Sequence, residues 1–360
     1  MATNQAAWLR EAGKPLEVSE AHMPTAGPDE IVIENAAIAI NPLDNHMQDI
    51  GVFVSEFPAI IGCDVAGIVH EVGAKAGDRF KKGDRVIGHT INLITSKSRD
   101  GAYARYTVVK ANKAAILPDK IPFKDGVVVP FALEAAVCSL SVKEPGTALP
   151  NVPTPALGLP YPVLGTATKS AATSNKTLVV YGGSSSVGSM VTQLATAAGI
   201  RVIAIASAKN SALCETAGAE AVIDYHNHPD DVDAFVDEVA AAVNAKPGQE
   251  LVGIFDAISI PETFARDLAI LAKLGGQGHL ACSHPPPAEG VPEGVHAGMI
   301  FGVNDVATPV WRDYVTPALE AGELKCLPPP TVVGKGLEYL QKALEMCKAG
   351  VSATKIVVEL

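Results

Sequence analysis

The sequence predicts an α/β protein in which a β-rich domain is joined to a doubly wound, parallel-sheet domain. Three observations carry this. Residues 178–206 read as strand, Gly/Ser turn, helix and strand; strands and helices alternate from there to residue 301; and residues 1–123 hold short strands divided by Gly, Pro and Asp.

Taken in order, residues 31–40 and 65–72 are strand-like, residues 80–88 are a turn feeding a strand, and residues 101–109 give one more. Residues 122–141 carry Val127, Val128, Ala132, Ala136 and Leu140 at helical spacing, which predicts one helix leading into the second domain. Between residues 143 and 174 six prolines and little periodicity predict a long irregular segment, read as the rim of a cleft.

Leu178 to Tyr181 form a continuous apolar run, as in a strand buried on both faces, and Gly182 and Gly183 end it. From Ser186 the period becomes helical through Val187, Val191, Leu194 and Ala198, with Gly199 as the stop, and residues 202–205 resume a strand. Such a turn sets backbone N–H groups, short hydroxyls and the positive end of a helix around a pyrophosphate. The spacing G-G-x-x-x-V-G departs from G-x-G-x-x-G, so the signal lies in the strand–turn–helix–strand setting rather than in the glycines alone.

An NAD site presents an acid to the ribose about 20 residues beyond the glycines. Here Ser207-Ala208-Lys209-Asn210 stand at that point and no acid follows before Glu215, which favours NADPH, with a solvated Lys209 as the plainer reading. The remaining pattern gives a short helix at 210–217, strands at 221–225, 251–257, 278–283 and 295–301, and helices at 231–245 and 261–273. A helix face at 337–347, stopped by Gly350, and a strand at 355–360 have no following partner. The chain is therefore expected to return to its first domain: 1–123 with 304–360 form one domain and 124–303, including the insertion 143–174, the other, with the active site between them.

The 360 residues carry a net charge of −11 and 48% apolar side chains, and no basic cluster stands out, which argues against nucleic acid or an anionic membrane as partner. No run of about 18 apolar residues could span a bilayer, and the N-terminus lacks a signal-peptide pattern, so a cytoplasmic protein is expected. Cys63, Cys138, Cys214, Cys282, Cys326 and Cys347 are scattered without C-x-x-C, as expected of reduced, mostly buried thiols. His226 and His228 are the one close histidine pair, and a polar turn accounts for them better than a metal site.

With these pieces placed, the sequence resembles the medium-chain dehydrogenase/reductase superfamily over its full length, and within it the zinc-free quinone oxidoreductase and enoyl reductase branch. The matching motifs are Asn41-Pro42-Leu43-Asp44, residues 62–67 (Gly-Cys-Asp-Val-Ala-Gly), residues 82–86 (Lys-Gly-Asp-Arg-Val), residues 182–188 and Asp224-Tyr225. The proline-rich insertion and the Ser-Ser-Ser-Val turn look most like fungal members, including trans-acting enoyl reductases that serve polyketide synthases. The resemblance implies a GroES-like first domain and a Rossmann second domain.

It also implies roles for residues. Gly182, Gly183, Ser184, Ser185, Ser186 and Val187 would hold the phosphates, and Ser207, Lys209, Asn210 and Tyr225 the 2′-phosphate of NADPH. Ile258 would border the nicotinamide ribose, Phe301 and Val303 would close that end, and Asn41 and Asp44 would lie near the nicotinamide, although a turn-forming Asn before Pro also accounts for Asn41.

Zinc-dependent relatives have Gly-His-Glu where this chain has Gly62-Cys63-Asp64, and their cysteine cluster is missing, so no metal is expected. Where relatives often carry a tyrosine this chain has Phe53, and where they carry a threonine it has Ala135, beside Glu134 read as a helix-surface carboxylate. The implied reaction is hydride transfer from NADPH to an activated double bond of an enone or enoyl thioester, or to a quinone, with no firm proton donor; Tyr103 and Tyr161 are the tyrosines to consider. The alternatives are a trans-acting reductase with an acyl-carrier or polyketide synthase partner, and a non-catalytic NADPH-binding protein. Either a monomer or a homodimer paired along residues 295–300 is expected.

Overall fold

A computed structural model describes residues 3–165 and 175–360, so the last part of the proline-rich segment, 166–174, lies outside the described residues. The chain divides into two compact units, Met1–Phe131 with Trp311–Leu360, and Ala132–Val310.

The first unit opens with β1 (Asn4–Leu9) and β2 (Leu16–Ala21), an antiparallel pair. Then come β3 (Glu30–Ala39), α1 (Pro42–Ile50), β4 (Asp64–Val72), β5 (Arg85–His89), α2 (Asn92–Thr95), β6 (Tyr106–Lys110), β7 (Ala114–Ile116) and α3 (Phe123–Gly126). Helix α1 follows from its own sequence: Asn41 is its N-cap in extended geometry, Pro42 fills the first turn, and the Asp44 carboxyl accepts the Asn41 N–H at 2.8 Å.

The strand expected at 101–109 is shorter than the sequence suggests. Residues 102 and 103 donate their amides to Gly62 and Ile61 instead, and Asn35 Nδ2 donates to the carbonyls of Ala102 and Ala104, so ladder pairing begins only at Tyr106. The single helix expected over 122–141 is two, α3 and α4 (Pro130–Leu140), because Pro130 has no N–H to donate and restricts the residue before it. Residues 123–131 consequently belong with the first unit, where α3 packs on β3 and β4.

The second unit continues with β8 (Thr147–Leu149) and β9 (Val152–Pro153), a small hairpin within the proline-rich segment. It is followed by β10 (Lys176–Tyr181), α5 (Ser186–Ala197), β11 (Arg201–Ile205), α6 (Ser211–Ala217), β12 (Ala221–Ile223) and α7 (Val232–Asn244). Next are β13 (Glu250–Asp256), α8 (Pro261–Lys273), β14 (Gln277–Cys282) and β15 (Gly294–Met299). The sheet is wholly parallel, in the order β12-β11-β10-β13-β14-β15, which reverses direction between β10 and β13 as in a Rossmann fold. Val179, Ile203, Ile254, Leu280 and Phe235 are buried in its main apolar core.

The chain then re-enters the first unit with α9 (Val315–Ala321), β16 (Pro330–Lys335), α10 (Leu340–Lys348) and β17 (Lys355–Glu359). Strand β17 inserts between β16 and β3 to complete a seven-stranded mixed sheet, which is why the last strand needs no helix after it. No helix among the described residues is long and apolar enough to cross a membrane.

Candidate active site

At the point where the parallel sheet reverses, the turn after β10 and the loop after β13 meet. Gly182 has φ +75°, and a Cβ built there would stand 2.9 Å from Ile258 Cδ1 and 3.3 Å from Ala257 Cβ. Gly183 packs against Ala204, and Gly188 is closed in further: a Cβ would lie 2.2 Å from the Gly182 carbonyl oxygen. These glycines are demanded by close backbone approach, the geometry a pyrophosphate cradle needs.

Ser185 is the N-cap of α5, its hydroxyl accepting the Gly188 N–H at 3.0 Å. The Ser186 Oγ is buried with no hydrogen-bond partner among the described residues, at the end of a helix whose free N–H groups favour an anion. Val187 follows it in the first turn, half-buried.

The end of β11 joins this turn, because Asn210 Nδ2 donates to Ser184 Oγ at 3.2 Å. Ser207 is half-buried and Lys209 exposed on the short 3-10 turn there. Tyr225 lies beyond β12, where its ring stacks on His226 at 4.0 Å, and Asp224 accepts both the backbone N–H and the ring nitrogen of His226. Those bonds hold the Asp224 carboxyl below its usual range. His228 pairs with Glu238, so the two histidines serve separate acids in a polar turn.

Phe301 and Val303 are half-buried beyond β15, and Gly302 between them faces the Ala135 amide, its Cβ position 3.9 Å away. Glu134 corrects an expectation. It is fully buried, because α4 carries Ala132, Leu133, Ala135, Ala136 and Val137 all inside and has no solvent face there.

The first unit holds a second polar cluster. Asn41 Nδ2 donates to Asp64 Oδ2 at 2.9 Å, Lys355 Nζ donates to Asn41 Oδ1 and lies 3.3 Å from Asp64 Oδ2, and the Phe131 amide donates to Asp64 Oδ1 at 2.5 Å. Beside it Tyr103 donates its hydroxyl to Asp44 Oδ2 at 3.1 Å. All of these side chains except that of Phe131 are buried.

Burial, with the Asp64 charge adding to it, pushes Asp44 up to about 7, while the Asn41 amide acts against the shift. Burial likewise raises Asp64, with Lys355 opposing it. Cys63 is pushed well above its usual value by burial and by Asp44 and Asp64, so it stays a thiol; His89 is pushed down to about 3 by burial and stays neutral. Among the described residues no group of three or more His, Cys, Asp or Glu is placed to hold a metal ion.

The chain matches the family model of the alcohol dehydrogenase GroES-like domain over residues 27–119 and that of the zinc-binding dehydrogenases over residues 186–285. It is 66% identical, over 360 residues and all of both chains, to Dehydrogenase orsE of Emericella nidulans. The chain belongs to the medium-chain dehydrogenase/reductase superfamily.

This dehydrogenase/reductase is also 36% identical to Trans-enoyl reductase himH of Aspergillus japonicus, over 99% of its own length and 97% of that protein's. A mycobacterial protein solved with NADPH shares its fold, with a TM-score of 0.69 at 23% identity over 99% of this chain and 100% of that one. Membership makes it an oxidoreductase with a GroES-like and a Rossmann domain.

Sequence reasoning brought forward Asn41, Asp44, the turn after β10 and Tyr103 as a tyrosine to consider, but passed over Lys355 and the acids Asp256 and Asp267. The Asp44 contact was readable, since Asn-Pro-x-Asp is a helix-start signal with an acid at the third position. Nothing local links Lys355 to Asn41.

Proposed function

We propose that this dehydrogenase/reductase is a zinc-independent, NADPH-dependent reductase that delivers hydride to an activated C=C bond, of an α,β-unsaturated carbonyl or enoyl thioester, or to a quinone. The observation that carries the reading is the turn after β10. Its glycine positions leave no room for side chains, Ser186 Oγ is an orphaned hydroxyl at a helix N-terminus, and Asn210 ties it to a β11 end that carries Ser207 and Lys209 in place of an acid. A dinucleotide phosphate fits that donor set.

Gly182, Gly183 and Ser184 to Val187 would hold the pyrophosphate, and Ser207, Lys209, Asn210 and Tyr225 the 2′-phosphate. Ile258 would border the nicotinamide ribose, with Phe301 and Val303 closing that end. NADPH, when bound, supplies the hydride. The protein's part is to bind, orient and keep water from the reacting carbons. On a conjugated C=C acceptor the hydride would go to the β-carbon and a proton, drawn from water, to the α-carbon.

Asn41 and Asp44 act as positioning residues near the nicotinamide, fixed by Asp64, Lys355 and Tyr103. Zinc independence is supported by the state of the Gly62-Cys63-Asp64 motif: the thiol is protonated and the Asp64 carboxyl is already engaged by three donors.

A second reading, reduction in trans of a carrier-bound polyketide chain, is favoured by the similarity to a protein named as a trans-enoyl reductase. Loss of NADPH absorbance is followed with a panel of enones, quinones and enoyl thioesters, free and carrier-bound. Turnover of any free acceptor supports the first reading, and turnover of the carrier-bound thioester alone the second. Tight NADPH binding without turnover of any acceptor would overturn both in favour of a non-catalytic role.

A further inference from the structure

Asp256 ends β13, and the loop that follows is folded over its side chain. Its Oδ1 accepts the amides of Ile258 at 2.8 Å and Ser259 at 2.9 Å, and its Oδ2 accepts the Thr263 hydroxyl at 2.5 Å. Ser259 Oγ donates to the Asp256 carbonyl and accepts the Ser283 amide, both at 2.8 Å, which ties the loop to the end of β14. Ser259 sits at φ +54°, a left-handed conformation that a residue with a Cβ keeps only when its surroundings enforce it.

One turn past Thr263 on α8, and so on the same helix face, lies Asp267. It is fully buried, neither of its oxygens has a hydrogen-bond donor among the described residues, and the neighbouring acid that acts on it is Asp256, which Thr263 bonds one turn earlier. A carboxylate offers about four acceptor positions. Three on Asp256 are filled by Ile258, Ser259 and Thr263. An ionised Asp267 would be a buried charge with no donor beside a second acid, whereas the neutral acid is itself a donor aimed at an acceptor with room for one more bond.

We propose that Asp267 is a positioning residue for the cofactor: its protonated carboxyl donates to Asp256 and so completes the set of bonds that holds Ala257, Ile258 and Ser259 against the Gly182 turn. This rests on the reading of that turn as the NADPH site. Burial, with the Asp256 charge next, pushes Asp267 well above the usual carboxyl range, in keeping with a retained proton. Around the pair, Tyr181 on β10 takes its hydrogen bond from Arg266, and the Cys282 thiol on β14 donates to the Leu280 carbonyl, so neither supplies the missing partner.

The test compares wild type, Asp267→Asn and Asp267→Ala. The amide of Asp267→Asn can still donate to Asp256, so its NADPH dissociation constant should stay within about twofold of wild type. Asp267→Ala should weaken NADPH by about tenfold, the size of one charge-assisted hydrogen bond, with kcat at saturating NADPH little changed. Hydrogen exchange at the Ile258 and Ser259 amides should be slow in wild type and Asp267→Asn and faster in Asp267→Ala, with or without NADPH. The infrared carbonyl band of a buried carboxylic acid should be present in wild type at neutral pH and reduced in Asp267→Asn.

Equal exchange and equal NADPH affinity in all three proteins would overturn the proposal, as would a wild-type spectrum identical to that of Asp267→Asn. If wild type fails to bind NADPH, the cofactor reading falls while exchange and the infrared band still decide the role of Asp267. If Asp267→Ala does not fold, the infrared contrast between wild type and Asp267→Asn still decides whether Asp267 carries the proton.

Discussion

Asn41 Nδ2 donates to Asp64 Oδ2 at 2.9 Å, joining a helix N-cap to the first residue of β4 in a site that water does not reach. Lys355 supplies the only cation recorded in contact with the pair among the described residues. Replacing Lys355 with Met should leave Asp64 buried without its counter-ion and cost about 3–5 kcal/mol. Urea unfolding of the variant checks this, and a loss under about 1 kcal/mol would show that the ion pair is dispensable.

Gly188→Ala should fail for a steric reason. The added carbon meets the Gly182 carbonyl oxygen at 2.2 Å and Ser185 Oγ at 3.0 Å, both parts of the turn itself. Stability should fall by about 1–3 kcal/mol, and NADPH affinity should drop further than stability alone explains. Titration of NADPH fluorescence in the folded variant measures the second effect; wild-type affinity would count against the cradle.

The raised value of Asp44 makes a prediction with a definite sign. The folded protein holds this proton from the ordinary value of 3.8 up to about 7, whereas the unfolded chain releases it near 3.8. Protons bound in the folded state exceed those in the unfolded state across that window, so this group's contribution to stability is full below about pH 4 and is lost as pH rises toward 7. The difference between 3.8 and about 7 amounts to about 4 kcal/mol. Asp44→Asn removes the titration while keeping an acceptor for Asn41 and Tyr103. The stability of wild type relative to Asp44→Asn should therefore fall between pH 4 and 7; a constant difference would mean that Asp44 is ionised throughout.

Lys209 is exposed on the turn after β11, so its replacement by Ala should leave stability nearly unchanged. NADPH affinity should fall by roughly tenfold and NADH affinity should not. The ratio of the two dissociation constants is the measurement, and an unchanged ratio would remove Lys209 from the 2′-phosphate site.

The second unit was the easier half to read. The central strands of its parallel sheet, β10, β11 and β13, are buried on both faces, so an unbroken apolar run such as Leu178 to Tyr181 marks them, and Gly199 and Gly218 end their helices in the left-handed conformation expected of such stops. The departures occur where context overrides local pattern. Residues 101–105 bond to segments far away in sequence, Pro130 divides one apolar stretch into two helices, and Glu134 is drawn inside by the apolar residues around it.

The sequence by itself determined the parallel sheet and the Gly/Ser turn after β10, which depend on periodicity and on glycines within a few residues of one another, and the return of the last strand, which has no helix after it to cover. Tertiary structure alone decided which polar groups are buried together. Asn41, Asp64 and Lys355 meet only because β17 inserts beside β3, and Asp267 gains its meaning only from the acceptor that Asp256 leaves open. Burial sets the state of such groups, and burial is a property of the folded chain.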